Sequence, residues 1–357
     1  MKRVRVGLIG TGAITDLHYL GYKDNAKAEL HAICDVDDDL LQRRVDEWDV
    51  DRAYNDYREL LDDSTVDAVE VITPHHLHAE IGIAALEAGK HVSLQKPMAI
   101  SVQECDDLVS AAKASGMRFR VFENFMHYPP LMKAKELFDS GAIGNPLSIR
   151  IKVVQGSGGA DWELPYRKLV WRFDPERGGG GRVIFDYGYH LFSMAMWFMG
   201  DVEKVYSWIT HRPIQHGWIV DSPAVAMWRY KDGGHYGSFE AITSDDILVR
   251  SKHGRPEDEW IELTGSRGFI WVNRCTSQLL DRPPLVMYRD GETTEFTDID
   301  SDWGTSFVNG VNDFAAGIIE GRQMHLTGEE GKKVFQLCKA IELSAAEGRE
   351  VRPDEIV

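Results

Sequence analysis

Three groups of residues in this chain have types and spacings that can do chemistry. The first is Gly10-Thr11-Gly12-Ala13-Ile14-Thr15, directly after the apolar run at residues 4–9. Its two glycines match the opening of a dinucleotide-binding turn. Gly10 permits a tight bend, and Gly12 lets the backbone approach a pyrophosphate at the start of the following helix. Thr15 stands where glycine or alanine usually completes that pattern. Asp35, ending the second apolar run, can accept hydrogen bonds from ribose hydroxyls and would repel a 2′-phosphate, so the pattern points to NAD rather than NADP. The second group is Gln95-Lys96-Pro97, where a lysine falls at a strand end, the edge at which parallel sheets bind ligands. The third is Asp186 and His190, four residues apart, behind the glycine run 178–181 and ahead of the apolar stretch 191–199. A helix puts both on one face, and so apolar a setting demands partners for them if they are buried. An imidazole exchanges a proton near neutral pH, and an ammonium group steadies a developing negative charge.

The elements around these groups follow from periodicity. Residues 4–9, 30–34, 67–73, 91–94 and 118–122 read as buried strands. Residues 13–24, 37–48, 79–88 and 101–116 read as helices, the last with Ser101 as N-cap and Glu104 three residues on. This alternation predicts a parallel sheet covered on both faces. Beyond residue 124 the texture changes. Strand patterns at 147–155, 205–210, 224–230, 235–241, 260–264, 268–273 and 284–289, with turn signals between them, predict a mostly antiparallel sheet. Apolar helices are expected at 187–199, 307–320 and 334–346. The expected fold class is α/β, with a Rossmann domain over residues 1–123 and a second domain with a mostly antiparallel sheet over 124–357.

The bulk numbers narrow the function classes. A length of 357 residues exceeds what one core usually serves, which favours two domains. The formal charge of −17 disfavours nucleic acid as a partner, since phosphate backbones would be repelled. Cys34, Cys105, Cys275 and Cys338 form no CxxC pair, which argues against a disulfide framework and fits a cytoplasmic protein. No signal-peptide core and no membrane-length apolar stretch are read. His75, His76 and His78 with Glu80 invite a metal reading, but adjacent histidines after a proline point in different directions, so no metal is expected.

Taken together, the glycine turn, Lys96-Pro97 and Asp186-x-x-x-His190 resemble the Gfo/Idh/MocA oxidoreductase family. Thr73-Pro74 followed by His78, Trp171-Arg172 and the late stretch Thr327-Gly328-Glu329-Glu330-Gly331 extend the similarity along the whole chain. Gln95 replaces the glutamate this family usually carries before its lysine, and His75 replaces a frequent asparagine. The resemblance implies that residues 124–357 form an α+β domain with a large, open, mostly antiparallel sheet, that a hydride passes between a sugar or cyclic polyol carbon and NAD, and that a homodimer or homotetramer is built on the open sheet. It implies Lys96, Asp186 and His190 as catalytic residues. Gly10, Thr11, Gly12, Ala13, Ile14, Asp35, Thr73, Pro74, His75, His78, Gln95, Lys96, Trp171 and Arg172 are then expected around the cofactor. Lys96, Asn124, Tyr128, Arg172, Asp186 and His190 are expected around the substrate. In the expected mechanism His190 takes the hydroxyl proton, Lys96 steadies the oxygen, and Asp186 orients the hydroxyl or the imidazole. Two other readings use the same scaffold. One recycles NAD in place through a transient keto-sugar, giving elimination, epimerisation or glycoside cleavage. The other is a non-catalytic NAD-binding regulator.

Overall fold

In the first part of the chain, β-branched runs and amphipathic segments alternate, and the computed structural model turns that alternation into β1 (Val4–Ile9), α1 (Thr15–Leu20), β2 (Ala28–Cys34), α2 (Asp38–Trp48), β3 (Ala53–Tyr54), α3 (Tyr57–Asp62), β4 (Ala68–Val71), α4 (His78–Glu87), β5 (His91–Gln95), α5 (Val102–Ser115) and β6 (Phe119–Phe122). The structure describes residues 3–157, 169–214, 217–249, 256–274 and 276–357. The six strands form one parallel sheet in the order β3-β2-β1-β4-β5-β6. That is the doubly wound arrangement, and its strand interiors are fully buried, as at Val6, Leu8, Val69, Val92, Leu94 and Val121. The capping signal at α5 is real: Ser101 Oγ accepts from the Glu104 N–H at 3.2 Å, and the Glu104 carboxylate accepts from the Ile100 N–H at 2.9 Å. The helix expected at 13–24 is shorter. Residues 12–14 belong to the turn, and Asn25 ends the segment by donating to the Gly21 carbonyl at 2.6 Å and accepting from the N–H groups of Lys27 and Ala28. The strand β3 has only two residues and no readable periodicity.

This first unit runs to Asn124 and also takes in Glu176–Gly179 and Ser306–Phe335. The return of the chain has a packing cause. Helix α8 (Trp303–Glu320; α6 and α7 are given below) lays Val311, Phe314 and Ala315 into the core formed by Val4, Val6, Leu8, Ala68 and Met324.

The second unit comprises Phe125–Pro175, Gly180–Thr305 and Gln336–Val357. Its sheet is built from β7 (Pro146–Ser157), β8 (Val202–Pro213), β9 (Ile219–Tyr230), β10 (Tyr236–Leu248), β11 (Glu257–Gly265), β12 (Gly268–Val272), β13 (Leu285–Arg289) and β14 (Glu292–Phe296), in the order β14-β13-β12-β11-β7-β10-β9-β8. Only the pairing of β7 with β10 is parallel among those described. Helices α6 (Pro129–Asp139) and α7 (Gly188–Met199) belong to this unit, and α9 (Gly328–Glu347) enters it at Gln336. Phe192 of α7 packs edge-on against Phe239 at 5.1 Å and Trp228 at 5.9 Å, which seats that helix on the sheet. Sequence reading missed α6, although Pro129-Pro130 is a helix-start signal. It also missed β14, whose residues are polar and exposed and which pairs only at the sheet edge.

Alternation along β11 places Glu257 and Glu259 on its buried face beside Ile261 and Leu263. Glu259 accepts from the Tyr187 hydroxyl and from the Thr276 N–H and hydroxyl at 2.7 Å, and Glu257 accepts from Gln155 at 3.0 Å. Burial, reinforced by the neighbouring Glu257 charge, pushes the Glu259 carboxyl up to about 7. A carboxyl raised in the folded state contributes stability below its unfolded value near 4.5, and that contribution is lost as pH rises toward about 7. Glu259→Gln should therefore flatten the decline in thermal stability over that window, with a gain on the order of 1–3 kcal/mol at pH 8; calorimetry at pH 4.5 and 8 checks it. In the first unit, Phe314→Ala should cost about 3–5 kcal/mol in denaturant unfolding, because it empties a buried site under α8.

Candidate active site

The glycine turn is fixed by the sheet. Gly10 has φ +92°, and a Cβ there would lie 2.4 Å from the Ile72 carbonyl oxygen, so no other residue fits without strain. Gly12 is different: a Cβ would meet nothing within 4 Å. The protein's own packing leaves that space open, as a pyrophosphate requires. Among the described residues no acceptor takes the N–H groups of Gly12, Ala13 or Ile14, so these donors are available to an anion. Thr15, in place of the third small residue, donates its hydroxyl to the Gly10 carbonyl at 3.0 Å and ties the loop to the helix. Asp35 accepts from the Thr11 N–H at 2.7 Å and the Thr11 hydroxyl at 2.9 Å through Oδ2, and from the Asp37 N–H at 3.1 Å through Oδ1. Each oxygen retains acceptor capacity for a ribose hydroxyl. The guanidinium of Arg44 is committed to Asp16 and Glu47, both at 2.6 Å, and stacks 4.6 Å over Trp48. Two carboxylates therefore hold the cation nearest the loop, which fits NAD rather than a 2′-phosphorylated cofactor.

Further along the same sheet edge, the Thr73 hydroxyl is buried and makes no hydrogen bond among the described residues. His75 Nδ1 lies 2.8 Å from the Gly178 carbonyl. His78 is fully buried, with Nδ1 2.7 Å from the Pro97 carbonyl and Nε2 2.9 Å from that of Thr73. With both nitrogens facing backbone carbonyls, His78 ties the Thr73-Pro74 turn to the Lys96-Pro97 turn. Lys96 ends β5 at 9% exposure, followed by a cis peptide bond to Pro97. Its N–H donates to Gln95 Oε1 at 2.8 Å, and Gln95 Nε2 lies 3.0 Å from His18 Nε2. His18, Glu70 and Arg120, all inside this sheet's layer, escaped sequence reading. The signal was present, since Glu70 and Arg120 are charged residues within short strands that a parallel sheet buries on both faces. Asn124 is buried and donates to the Ser306 hydroxyl at 3.1 Å, which secures the start of the returning segment.

In the second unit, Asp186 and His190 do not share one regular helix. Residues Arg182–Tyr187 form a π-helical turn, with the Asp186 N–H donating to the Gly181 carbonyl at 3.0 Å, and α7 starts at Gly188. The wider turn re-aims Asp186 relative to a simple i,i+4 pair. Asp221 organises this start: its carboxylate takes the N–H groups of Val183 and Ile184, both at 2.7 Å. A Cβ on Gly181 would strike that carboxylate at 2.1 Å, which explains the last glycine of the run. Asp186, 2% exposed, pairs with Arg172 at 2.6 Å and Arg182 at 3.0 Å. Arg172 also covers Trp171 at 4.6 Å. His190 is half-buried and stacks on Phe125 at 4.9 Å, with the Tyr187 ring edge-on at 6.3 Å. Tyr128 is fully enclosed, its hydroxyl donating to the Ser301 carbonyl at 3.2 Å and its ring against Trp303.

Comparison with known proteins bears on these two sets of residues. The family description "Oxidoreductase family, NAD-binding Rossmann fold" matches residues 4–123, and the GFO/IDH/MocA C-terminal domain matches residues 131–271. The chain is 30% identical to the uncharacterized oxidoreductase YrbE of Bacillus subtilis, over 98% of this chain and 96% of that one. It is 29% identical to myo-inositol 2-dehydrogenase of Thermotoga maritima, over 99% and 100% of the two chains. A solved levoglucosan dehydrogenase in complex with NADH and levoglucosan superposes with a TM-score of 0.83 at 27% identity, covering 98% of this chain and 99% of the other. Matches over both halves, joined to a glycine turn with open amides, make this chain a member of the Gfo/Idh/MocA family of NAD-dependent oxidoreductases.

Proposed function

We propose that this protein oxidises a secondary or anomeric hydroxyl of a sugar, glycoside or cyclic polyol. The observation that carries the reading is the place of Lys96. It is a lysine nine-tenths buried at the carboxyl end of β5, on the same sheet edge as the open glycine turn. The relatives named above act on levoglucosan and myo-inositol, both ring-borne polyhydroxy compounds, which supports that substrate class. When bound, NAD supplies the hydride acceptor; Gly10, Thr11, Gly12, Ala13, Ile14 and Asp35 hold its dinucleotide, with Thr73, Pro74, His75, Gln95, Trp171 and Arg172 as further contacts.

The chain's own groups then do three things. Lys96 Nζ donates to the substrate oxygen and lowers the cost of its developing charge. His190, held against Phe125, takes the hydroxyl proton as the carbon–hydrogen bond breaks and a carbonyl forms. Asp186, between Arg172 and Arg182, fixes the turn that carries His190. The assembly reading is a homodimer or homotetramer through the open sheet, supported by the exposed Leu147, Trp208, Met227 and Tyr236 on its strands. A cytoplasmic location is supported by Cys34, Cys105 and Cys338, which are buried and form no disulfide with one another.

Lys96→Met should lower kcat on the polyol identified by an initial-rate screen by about 10²–10⁴-fold, with NAD affinity retained. NADH should accumulate in proportion to ketone. Near-normal turnover by the variant would remove Lys96 from the chemistry. Gly10→Ala should instead weaken NAD binding or destabilise the fold by about 1–3 kcal/mol, measured by titration calorimetry and thermal unfolding.

A further inference from the structure

One polar chain crosses the otherwise apolar interior of the parallel sheet. Glu70, in β4, and His18, in α1, are at most 1% exposed, and Glu70 Oε2 lies 2.7 Å from His18 Nδ1. His18 Nε2 lies 3.0 Å from Gln95 Nε2, and Gln95 Oε1 accepts the Lys96 N–H at 2.8 Å. Donor and acceptor rules leave one consistent assignment. A backbone N–H only donates, so the Gln95 atom facing Lys96 is the oxygen. The amide nitrogen then faces His18 and donates, so His18 Nε2 is an unprotonated acceptor. The imidazole proton is on Nδ1, donated to Glu70.

The surroundings hold that arrangement in place. The His18 ring lies 4.6 Å from Phe122 and 5.1 Å from Phe307. Behind Glu70, Arg120 lies 3.9 Å away, with its Nε donating to Ser93 at 3.1 Å and with Asp313 at 3.6 Å. The Tyr22 hydroxyl is pushed well above its ordinary value by burial and then by the Glu70 charge. Arg120 lies between Phe122 at 5.1 Å and Phe314 at 4.9 Å.

We propose that Glu70 and His18 are positioning residues for the oxidation: Glu70 fixes the His18 tautomer, His18 fixes the Gln95 amide, and Gln95 holds the backbone of Lys96. This rests on Lys96 being the amine that meets the substrate oxygen. A second proton on His18 would turn Nε2 into a donor facing a donor and break the relay, so the strand end is held only while the ring is neutral.

The test uses the full-length protein with NAD, with levoglucosan and myo-inositol as probe substrates and Lys96→Met alongside. His18→Phe and Gln95→Met should each lower kcat about tenfold to a hundredfold, since a small displacement of a reacting group is costly in rate. For His18→Phe, which replaces none of the proposed cofactor contacts, NAD affinity should stay within about threefold of wild type. If both keep wild-type kcat while Lys96→Met is inactive, the relay is wrong and the lysine reading stands. If Lys96→Met also keeps its turnover, the lysine reading fails and the relay with it. Should His18→Phe not fold, Gln95→Met carries the kinetic test, because it leaves the Glu70–His18 pair intact. Gln95→Glu gives a readout that mere packing would not move. Glutamate has no N–H for His18, so the contact with Nε2 then needs one added proton, and the pH profile of kcat should change from that of wild type; an unchanged pH profile overturns the proposal. Independently of turnover, nitrogen-15 NMR of labelled histidines, with His18→Phe to assign the signal, should show His18 protonated at Nδ1 and bare at Nε2. An Nε2–H tautomer, or a doubly protonated ring at pH 8, overturns it as well.

Discussion

The register of a parallel sheet buried on both faces is the constraint on which the first unit depends. Such a sheet tolerates little polarity inside its strands, so functional groups are displaced to the strand ends. Ile9 pairs with both Cys34 and Val71, Val71 with Leu94, and Gln95 with Phe122. Those pairings bring the carboxyl ends of β1, β2, β4 and β5 level with one another. Gly10, Asp35 and Lys96 directly follow those ends, and Thr73 lies two residues past the end of β4. A one-residue slip would turn every strand over and scatter them.

Glu70 and Arg120 break the rule, and the manner in which they break it is informative. Removing one partner of a buried charge pair typically costs about 3–5 kcal/mol, so ions at such sites persist only with close neighbours. Here the neighbours form a line: Asp313, Arg120, Glu70, His18, and then the uncharged Gln95 at the functional edge. Within this family a glutamate is usual where Gln95 stands. In this chain a buried carboxyl group lies one strand over, at Glu70, and is linked to the lysine turn through the His18 ring and the Gln95 amide.

Legibility in the sequence followed the range of the interactions. The glycine turn, Asp35 and the Ser101 cap are local patterns, and their physical reasons lie within a few residues. The strand–helix alternation is equally local, and so the fold class was readable. Asp186 and His190 were readable as a pair, but not the π turn between them. That turn depends on Asp221, which is distant in sequence yet takes two N–H groups at its start. The partners of Asn124 and Tyr128 were unreadable for the same reason, since Ser306 and Ser301 come from a segment far along the chain. His18 was the least legible, because an imidazole on a short helix carries no mark of the glutamate that fixes its tautomer.

The acidity of the chain, −17 overall, is compatible with an anionic cofactor because carboxylates near the glycine turn are already occupied. Asp16 and Glu47 are neutralised on Arg44. Asp35 is turned onto Thr11, so the residue expected to meet the ribose also shapes the loop expected to meet the pyrophosphate. The two recognitions are therefore coupled through one side chain. Removing the Asp35 carboxylate would free the Thr11 N–H as well as the ribose partner, and the loss would reach the phosphates too. On the same expectation a 2′-phosphate would face Asp35 and Asp37, while the Arg44 guanidinium is held by Asp16 and Glu47.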